Sequence, residues 1–329
     1  MKRYLSLILT MVLILSCLSF VSCSNKQTVL IYSASEDEVN ANLYEALSKQ
    51  FPDYNIVIEY LGNGAIYSKL LAEGKETSAD IIFDFEATYS EAVINQHPDI
   101  FTDLSSYDFS EFKEEVLPSH RFFVPECKTD VAIVYNKQVL NEYGLNVPET
   151  YDDLLSEKYK GLISMSSPKT SGTGYAFYST MVANDGLDNT IKYFDKLMSN
   201  VKEVTASGSA PLKSVDRGEA AIGFVMLWQA VMYANENPDL GITFLDKPTG
   251  YNLYTFSLVD NDNPAAKKVF DYMFNVWNKQ HCQEFYPDAI YKDQGPAGIS
   301  NYPTNIPEVI MPNIYDPEYK QTLLDAWKH

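Results

Sequence analysis

The segment 171–175, with the sequence SGTGY, carries the residue types best suited to binding chemistry in this chain. It follows a short apolar run that predicts a strand, and it leads directly into a predicted helix over residues 173–184. The first N–H groups of a helix lack intrahelical acceptors and lie at the positive end of the helix dipole. Ser171, Gly172 and Thr173 therefore form either a site for a carboxylate, phosphate or phosphonate group or a plain N-cap.

Several kinds of catalysis are excluded by motif. The chain lacks the GxxxxGK[ST] spacing of nucleotide phosphate loops and the GxGxxG spacing of dinucleotide folds. An exported hydrolase would need a nucleophile, a base and an orienting acid, yet no GxSxG motif is present. The 4 histidines do not mark a catalytic base or a histidine-rich metal centre. We expect a protein that is not an enzyme, with no cofactor and no resident metal.

The N-terminus has the features of a bacterial lipoprotein signal, namely a basic start, an apolar run and a cysteine where the run stops. These parts are Lys2 and Arg3, the run 5–21, Ser22 and Cys23. Residues 1–22 are predicted to be removed, with Cys23 acylated (palmitate) and residues 23–27 forming a tether. The body would then face the periplasm or exterior, anchored to the cell membrane. An ordinary secretory signal or an uncleaved anchor helix remains the alternative.

Composition indicates a globular body of two lobes, because the 306 residues after Cys23 exceed what one hydrophobic core usually serves. The formal charge of −19 repels nucleic acid and anionic headgroups, so we expect neither as a partner. In the body, Cys127 and Cys282 could form a disulfide outside the cytoplasm or remain buried thiols.

Strand and helix patterns alternate along the body, which predicts an α/β fold with mostly parallel sheets. A helix is expected over residues 150–161, and another begins after the capping residue Asn263. Residues 317–329 suggest a closing helix. The predicted strands have the sequences TVLIYSAS, NIVIEYL, ADIIFDF, VAIVYN, LISMSSP, AAIGFV and TFSLVD.

The order of these segments resembles the extracellular substrate-binding proteins of ABC importers. The similarity is to the branch that includes ferric-binding proteins and binders of phosphonates and sugar phosphates. It covers nearly the whole body, and the combination of three blocks at these intervals makes it specific. These blocks are YDDLLSEKYKG, SGTGY and GEAAIGF.

This resemblance implies a two-lobed periplasmic-binding-protein type 2 fold with two hinge crossings and a small-molecule ligand between the lobes. Residues 28–125 plus 250–305 would form lobe 1, and residues 126–249 plus 306–329 would form lobe 2. A monomer is expected, which delivers its ligand to an ABC permease and its ATPase. A sensory or adhesive lipoprotein with the same fold is the alternative.

The resemblance also implies which loops line the cleft, since loops after parallel strands converge at one edge of a sheet. For any single residue, capping or core packing is the competing interpretation. From lobe 1 these residues are Ser33, Ser35, Gly64 and Glu86, and from lobe 2 they are Ser171, Gly172, Thr173, Tyr175, Ser207 and Ser209.

The prediction of the ligand depends on a departure from the family pattern. Ferric-binding members carry two adjacent tyrosines shortly after the GE-containing block, where this chain has Trp228 and Gln229. An indole wall and an amide suit a small organic anion, although Trp228 could instead pack in the core of lobe 2. The alternative is ferric iron held by a non-standard tyrosine set, for which Tyr233, Tyr251 and Tyr254 are near in sequence. We include Tyr254 among the ligand-binding residues and consider Lys169, just ahead of the SGTGY turn, the best cationic candidate.

Overall fold

The computed structural model describes residues 26–286, 288–295, 298–303, 306–309, 311 and 313–329. The predicted signal sequence and the lipid site Cys23 lie outside these residues. Among the helices of the described residues, none combines the length and apolar character needed to cross a bilayer.

Strands and helices alternate as the sequence predicts. The strands of the described residues are β1 (Gln27–Ser33), β2 (Tyr54–Tyr60), β3 (Ile81–Glu86), β4 (Val124–Asn136), β5 (Ile163–Ser166), β6 (Val201–Thr205), β7 (Ile222–Met226), β8 (Leu240–Thr243) and β9 (Tyr251–Leu258). The α-helices are α1 (Asp37–Gln50), α2 (Asn63–Glu73), α3 (Ala87–Gln96), α4 (Lys137–Glu142), α5 (Gly172–Asp185), α6 (Leu187–Leu197), α7 (Ala210–Asp216), α8 (Leu227–Glu236), α9 (Pro264–Tyr272), α10 (Asn278–Phe285) and α11 (Pro317–Ala326).

The strands follow the order β2-β1-β3-β9-β4-β7-β5-β6, and β8 also pairs with β4. At one end β1 is parallel to β2 and β3, and at the other β5 is parallel to β6 and β7. Antiparallel β4 and β9 join the two halves. Along β4 the main partner changes from β9 to β7 between Asp130 and Val131, so this strand passes from one half to the other.

Each half has its own hydrophobic core. The first contains buried residues of β1, β3, β9, α1 and α9, and the second contains residues of β5, β7, α5, α6 and α11. Every residue of β3 is buried, as expected for a strand covered on both faces. Two cores joined by crossing strands agree with the predicted two-lobed fold.

Local side-chain chemistry explains one success and one error of prediction. The Asn263 side chain accepts hydrogen bonds from the N–H groups of Ala265 and Ala266, which starts α9 as predicted. The helix predicted over residues 150–161 was wrong, because this stretch forms two short 3₁₀ turns. There the Asp153 carboxylate accepts two backbone N–H groups, at Glu149 and Thr150, and such local bonds compete with a helix.

Candidate ligand-binding cleft

A narrow cleft with about 30 Å³ of free space lies where the loops of both halves meet the connecting strands. The first half contributes Ala34, Glu36, Tyr60, Gly62, Asn63 and Asp84, the second half contributes Thr170, Ser171, Gly172, Thr173, Ala206, Gly208, Met226 and Trp228, and the remaining wall is Thr129, Tyr254 and Tyr286.

The two halves touch across this cleft. A Cβ atom built on Gly172 would overlap the Tyr254 hydroxyl and lie 3.2 Å from its Cζ. A Cβ atom on Gly64 would lie 3.2 Å from the carbonyl oxygen of Lys169. Since Tyr254 belongs to the first core and α5 to the second, the structure has the cleft in a closed form.

The N-terminus of α5 faces the cleft. Ser171 is its N-cap, with Oγ accepting the N–H of Gly174 at 3.3 Å. The N–H groups of Gly172 and Thr173 belong to the first turn, where a helix supplies no acceptor. A Cβ atom on Gly208 would overlap the Thr173 hydroxyl, so this glycine lets the neighbouring loop approach closely. Backbone N–H groups and hydroxyls thus converge in a form suited to an anion.

Two carboxyl groups line the opposite wall. Asp84 lies at a β-bulge, where the register of β3 with β9 shifts between Ile82 and Phe85. Its φ of 53° is in the left-handed region, which is unusual for a residue with a side chain. Burial, together with the nearby Glu126, raises the pKa of Asp84 well above its ordinary value. Burial also raises the pKa of Glu36, opposed by a hydrogen bond from Ser209.

A cluster of buried polar side chains surrounds Glu126, which is close to Asp84. Glu126 occupies a second register shift, between β4 and β9, and accepts hydrogen bonds from His281 Nε2 at 3.1 Å and Cys127 Sγ at 2.9 Å. Burial raises the pKa of Glu126 to about 7 and lowers the pKa of His281 to about 3. Cys127 and Cys282 are both free and buried, so the disulfide alternative does not hold.

Together with Asp84, this cluster includes a possible metal donor set. One ligand atom each from Asp84, Glu126 and Cys127 lies within 4.8 Å of the others. Burial raises the pKa of the Cys127 thiol well above its ordinary value, which disfavours the thiolate that a metal would need.

Aromatic side chains form the rest of the wall. Trp228 is 3% exposed and packs edge-on against Tyr286, with ring centroids 5.5 Å apart. Trp228 follows a strand of the second half, but its side chain packs in the first core. The alternative considered from the sequence was that it packs in the core of lobe 2. Its Nε1 has no hydrogen-bond partner in the described structure, and neither does the buried Thr129 Oγ1. Both polar atoms are available to a ligand.

Five predicted residues line the cleft directly, and the others have different surroundings. The five are Ser171, Gly172, Thr173, Trp228 and Tyr254. Ser207 and Ser209 are not among the lining residues, and their hydroxyls hydrogen-bond each other at 3.3 Å.

At the end of β1, Ser33 Oγ donates to Asn40 and accepts the N–H of Ser35. Gln229 is 2% exposed and lies outside the lining residues, like Gly64. Ligand contact by these residues stays a prediction.

Two predicted ligand-binding residues, Glu86 and Tyr175, contact Lys320, which the sequence analysis did not single out. Lys320 of α11 forms a buried ion pair with Glu86, and its Nζ lies 3.6 Å from the ring centroid of Tyr89 and 4.1 Å from that of Tyr175. Burial lowers the pKa of Lys320 to about 8, although the Glu86 carboxylate opposes that shift. Because α11 is far from Glu86 in sequence, local pattern could not reveal this pair.

The cation suggested from the sequence is not among the residues that line the cleft. Lys169 Nζ donates to the carbonyl oxygen of Trp327 at 3.0 Å, and its role beside the SGTGY turn stays a prediction. Lys213 pairs with Asp37 at 3.5 Å. Of the residues described along the cleft wall, none is Lys, Arg or His.

Sequence reasoning missed part of the wall, most clearly Glu36, Tyr60 and Tyr286. Glu36 directly follows the hydroxyl-rich end of β1, and Tyr60 ends β2, so both hold positions where cleft residues are expected. Tyr286 follows α10, and no sequence pattern connects it to the cleft.

Comparison with solved structures supports this architecture. The fold is similar to the periplasmic binding protein AfuA from Actinobacillus pleuropneumoniae with fructose-6-phosphate bound, with a TM-score of 0.81 and 18% identity over 92% of this chain and 98% of that chain. It is also similar to the periplasmic binding protein P5PA, with a TM-score of 0.79 and 19% identity over 92% and 98% of the two chains. Iron-bound HitA from Pseudomonas aeruginosa has a TM-score of 0.74 and 14% identity over 92% and 100%.

Sequence comparison finds a relative and a family. An uncharacterized protein of Haemophilus influenzae is 24% identical over 230 residues, which span 66% of this chain and 64% of that protein. The family model of the bacterial extracellular solute-binding proteins matches residues 33–276. Because this match covers most of the chain, the family expected from the sequence is confirmed, and the chain belongs to the bacterial extracellular solute-binding proteins.

Proposed function

We propose that this protein captures a small organic anion between its two lobes and delivers it to the permease and ATPase of an ABC importer. The anion would be a phosphate, phosphonate or carboxylate group. The family is one of binding proteins, and no chemical step is needed for this role. Residues 28–125 plus 250–305 would form lobe 1 and residues 126–249 plus 306–329 lobe 2. The monomer would be tethered outside the membrane through lipid on Cys23.

The observation that carries the proposal is the N-terminus of α5 at the cleft wall. Its first-turn N–H groups, the hydroxyls of Ser171 and Thr173, and the unpartnered Nε1 of Trp228 supply hydrogen-bond donors to one enclosed space. Donors at a helix N-terminus favour negative charge. AfuA, which has a similar fold, was solved with a phosphate-bearing sugar bound.

The closed cleft suggests how binding would signal the permease. The contact between Gly172 and Tyr254 joins the two cores, and it would be lost if the lobes moved apart. A ligand that touches both walls binds the closed form more tightly than the open form. It therefore shifts the population toward the form that the permease recognises.

Titration of the purified body with small phosphate monoesters, followed by calorimetry or by tryptophan fluorescence, tests the anion site. Thr173→Val keeps the side-chain shape and removes one hydroxyl at the α5 N-terminus. Loss of a hydrogen bond to a charged group costs about 1.5–3 kcal/mol, which predicts binding about 10- to 150-fold weaker. Ser179→Ala is the matched control, because this hydroxyl lies in the same helix and, among the described residues, donates to the Ala176 carbonyl.

Equal affinity of the Thr173→Val variant and the wild type would contradict an anion site at this turn. The control variant should bind like the wild type in either case. Weakening in both variants would indicate a general effect on α5 rather than loss of a ligand contact.

Ferric iron is a second candidate, favoured by the oxygen-rich wall. Glu36, Asp84, Tyr60, Tyr254 and Tyr286 place carboxyl and phenol oxygens around one cleft, and hard oxygen donors suit a trivalent ion. Iron-bound HitA has a similar fold. Iron bound by tyrosinate would colour the purified protein through charge transfer, and Tyr254→Phe would remove or shift that band. A colourless protein that binds phosphate monoesters would exclude this candidate.

A further inference from the structure

The cleft has an acidic wall without a basic counterpart. Glu36 and Asp84 both line it, while the residues described along the wall include no Lys, Arg or His side chain. The charge of Lys213 opposes the burial that raises the pKa of Glu36, but Lys213 also pairs with the exposed Asp37 at 3.5 Å. A purely anionic ligand at the α5 N-terminus would therefore face two carboxyl groups across the cleft.

Register shifts in two strands place acidic residues at or near the cleft. Asp84 and Glu126 each occupy a register shift on a strand flanking β9, and Tyr254 lies between them on β9 itself. Bulges of this kind redirect side chains and are common beside binding sites. Asp84 holds its left-handed φ with only 9% of its surface exposed.

Two further polar atoms point to a ligand in the same space. Thr129 Oγ1 and Trp228 Nε1 belong to residues that are each 3% exposed, line the cleft and lack a hydrogen-bond partner in the described structure. Buried polar atoms are usually paired, so such orphans indicate positions where a bound molecule supplies the partner.

We propose that the ligand is a zwitterion whose cationic nitrogen lies between Glu36 and Asp84 while its anionic group binds the N-terminus of α5. This inference rests on the proposed function and narrows it to phosphates, phosphonates or carboxylates that carry an ammonium group. An ammonium supplies the charge that the acidic wall lacks, favours the ionised form of both carboxyl groups and donates hydrogen bonds to them. An analogue without the ammonium loses these charge-assisted hydrogen bonds and binds more weakly.

Matched pairs of probes test the proposal by calorimetry on the full body. Phosphoethanolamine is compared with ethyl phosphate, which lacks the amine, and with glycerol 3-phosphate, which carries hydroxyls instead. The carboxylate pair is γ-aminobutyrate and butyrate. At least one aminated probe is expected to bind tenfold or more tightly than its amine-free partner.

Variants assign that preference to the acidic wall. Glu36→Gln and Asp84→Asn should each reduce the preference for the aminated probe, and binding of the amine-free partner should hold or improve. Asp99→Asn is the control, since Asp99 forms an exposed surface pair with Lys75. It should leave the preference unchanged.

The outcomes separate this inference from the function on which it rests. Equal binding of aminated and amine-free probes, or a preference that survives both cleft variants, would overturn the zwitterion while leaving an anion-binding protein. Binding of none of these probes, together with retention of iron, would overturn the organic-anion function itself.

Discussion

Gly172 lies at the contact between the two lobes, and we expect Gly172→Ala to weaken ligand binding without destabilising the ligand-free protein. The added Cβ would overlap the Tyr254 hydroxyl and lie 3.2 and 3.3 Å from two ring carbons. Tyr254 is 2% exposed, so its ring has little room to yield. Overpacking of this kind costs about 1–3 kcal/mol.

That cost applies to the closed form, because Gly172 and Tyr254 belong to different cores. Since each 1.4 kcal/mol is a factor of ten, affinity should fall by about 5- to 150-fold. In the open form the new methyl group is free of Tyr254, and alanine is the better helix former. The free energy of unfolding of the ligand-free variant should therefore be unchanged or slightly higher.

Calorimetry with the ligand recovered from the wild-type protein measures this change, and denaturant unfolding provides the control. Tyr254→Phe removes the overlapping oxygen, so the double variant should bind more tightly than the two single effects predict. Wild-type affinity in Gly172→Ala would refute the closed-cleft contact. An absence of rescue in the double variant would show that the hydroxyl is not the cause.

Two further predictions concern buried charges. Lys320→Met should lower the free energy of unfolding by about 3–5 kcal/mol, because it leaves the Glu86 carboxylate buried without a cation. In urea unfolding, the double variant with Glu86→Gln should regain much of the lost free energy. Wild-type stability of Lys320→Met alone would contradict the ion pair. Burial, with Asp288 and Glu308 nearby, raises the pKa of Asp130 to about 9, so folding retains a proton that the unfolded chain loses above about pH 4. The free energy of unfolding should thus fall as pH rises from about 4 toward 9, by up to about 1.4 kcal/mol per pH unit. Asp130→Asn should flatten that slope in a pH series of unfolding curves. An unchanged slope in the variant would contradict a proton held by Asp130.

Local pattern was sufficient for most of the fold. The run that ends at Ser33, the cap at Asn263 and the turn before α5 each have a physical signature within a few residues. The SGTGY turn was predicted to bind an anion because free N–H groups at a helix start follow from the helix itself. Its position at the cleft wall agrees with that expectation.

The placement of Asp84 in the acidic wall was beyond local pattern, because it depends on strand register. Asp84 and Glu126 reach the cleft region through bulges opposite β9, and nothing near them in sequence predicts a register shift. The partner of Glu86 likewise comes from α11, at the far end of the described chain. Residues that meet only through tertiary contacts, such as Tyr286 and Trp228, require the folded structure.

Native mass spectrometry of the gently purified body, with iron and phosphorus measured in the same sample, tests the identity of the ligand most directly. We expect one small organic adduct per chain that bears a phosphate, phosphonate or carboxylate group, with iron far below one atom per chain. Iron at nearly one atom per chain, without such an adduct, would contradict this expectation and assign the cleft to a metal ion.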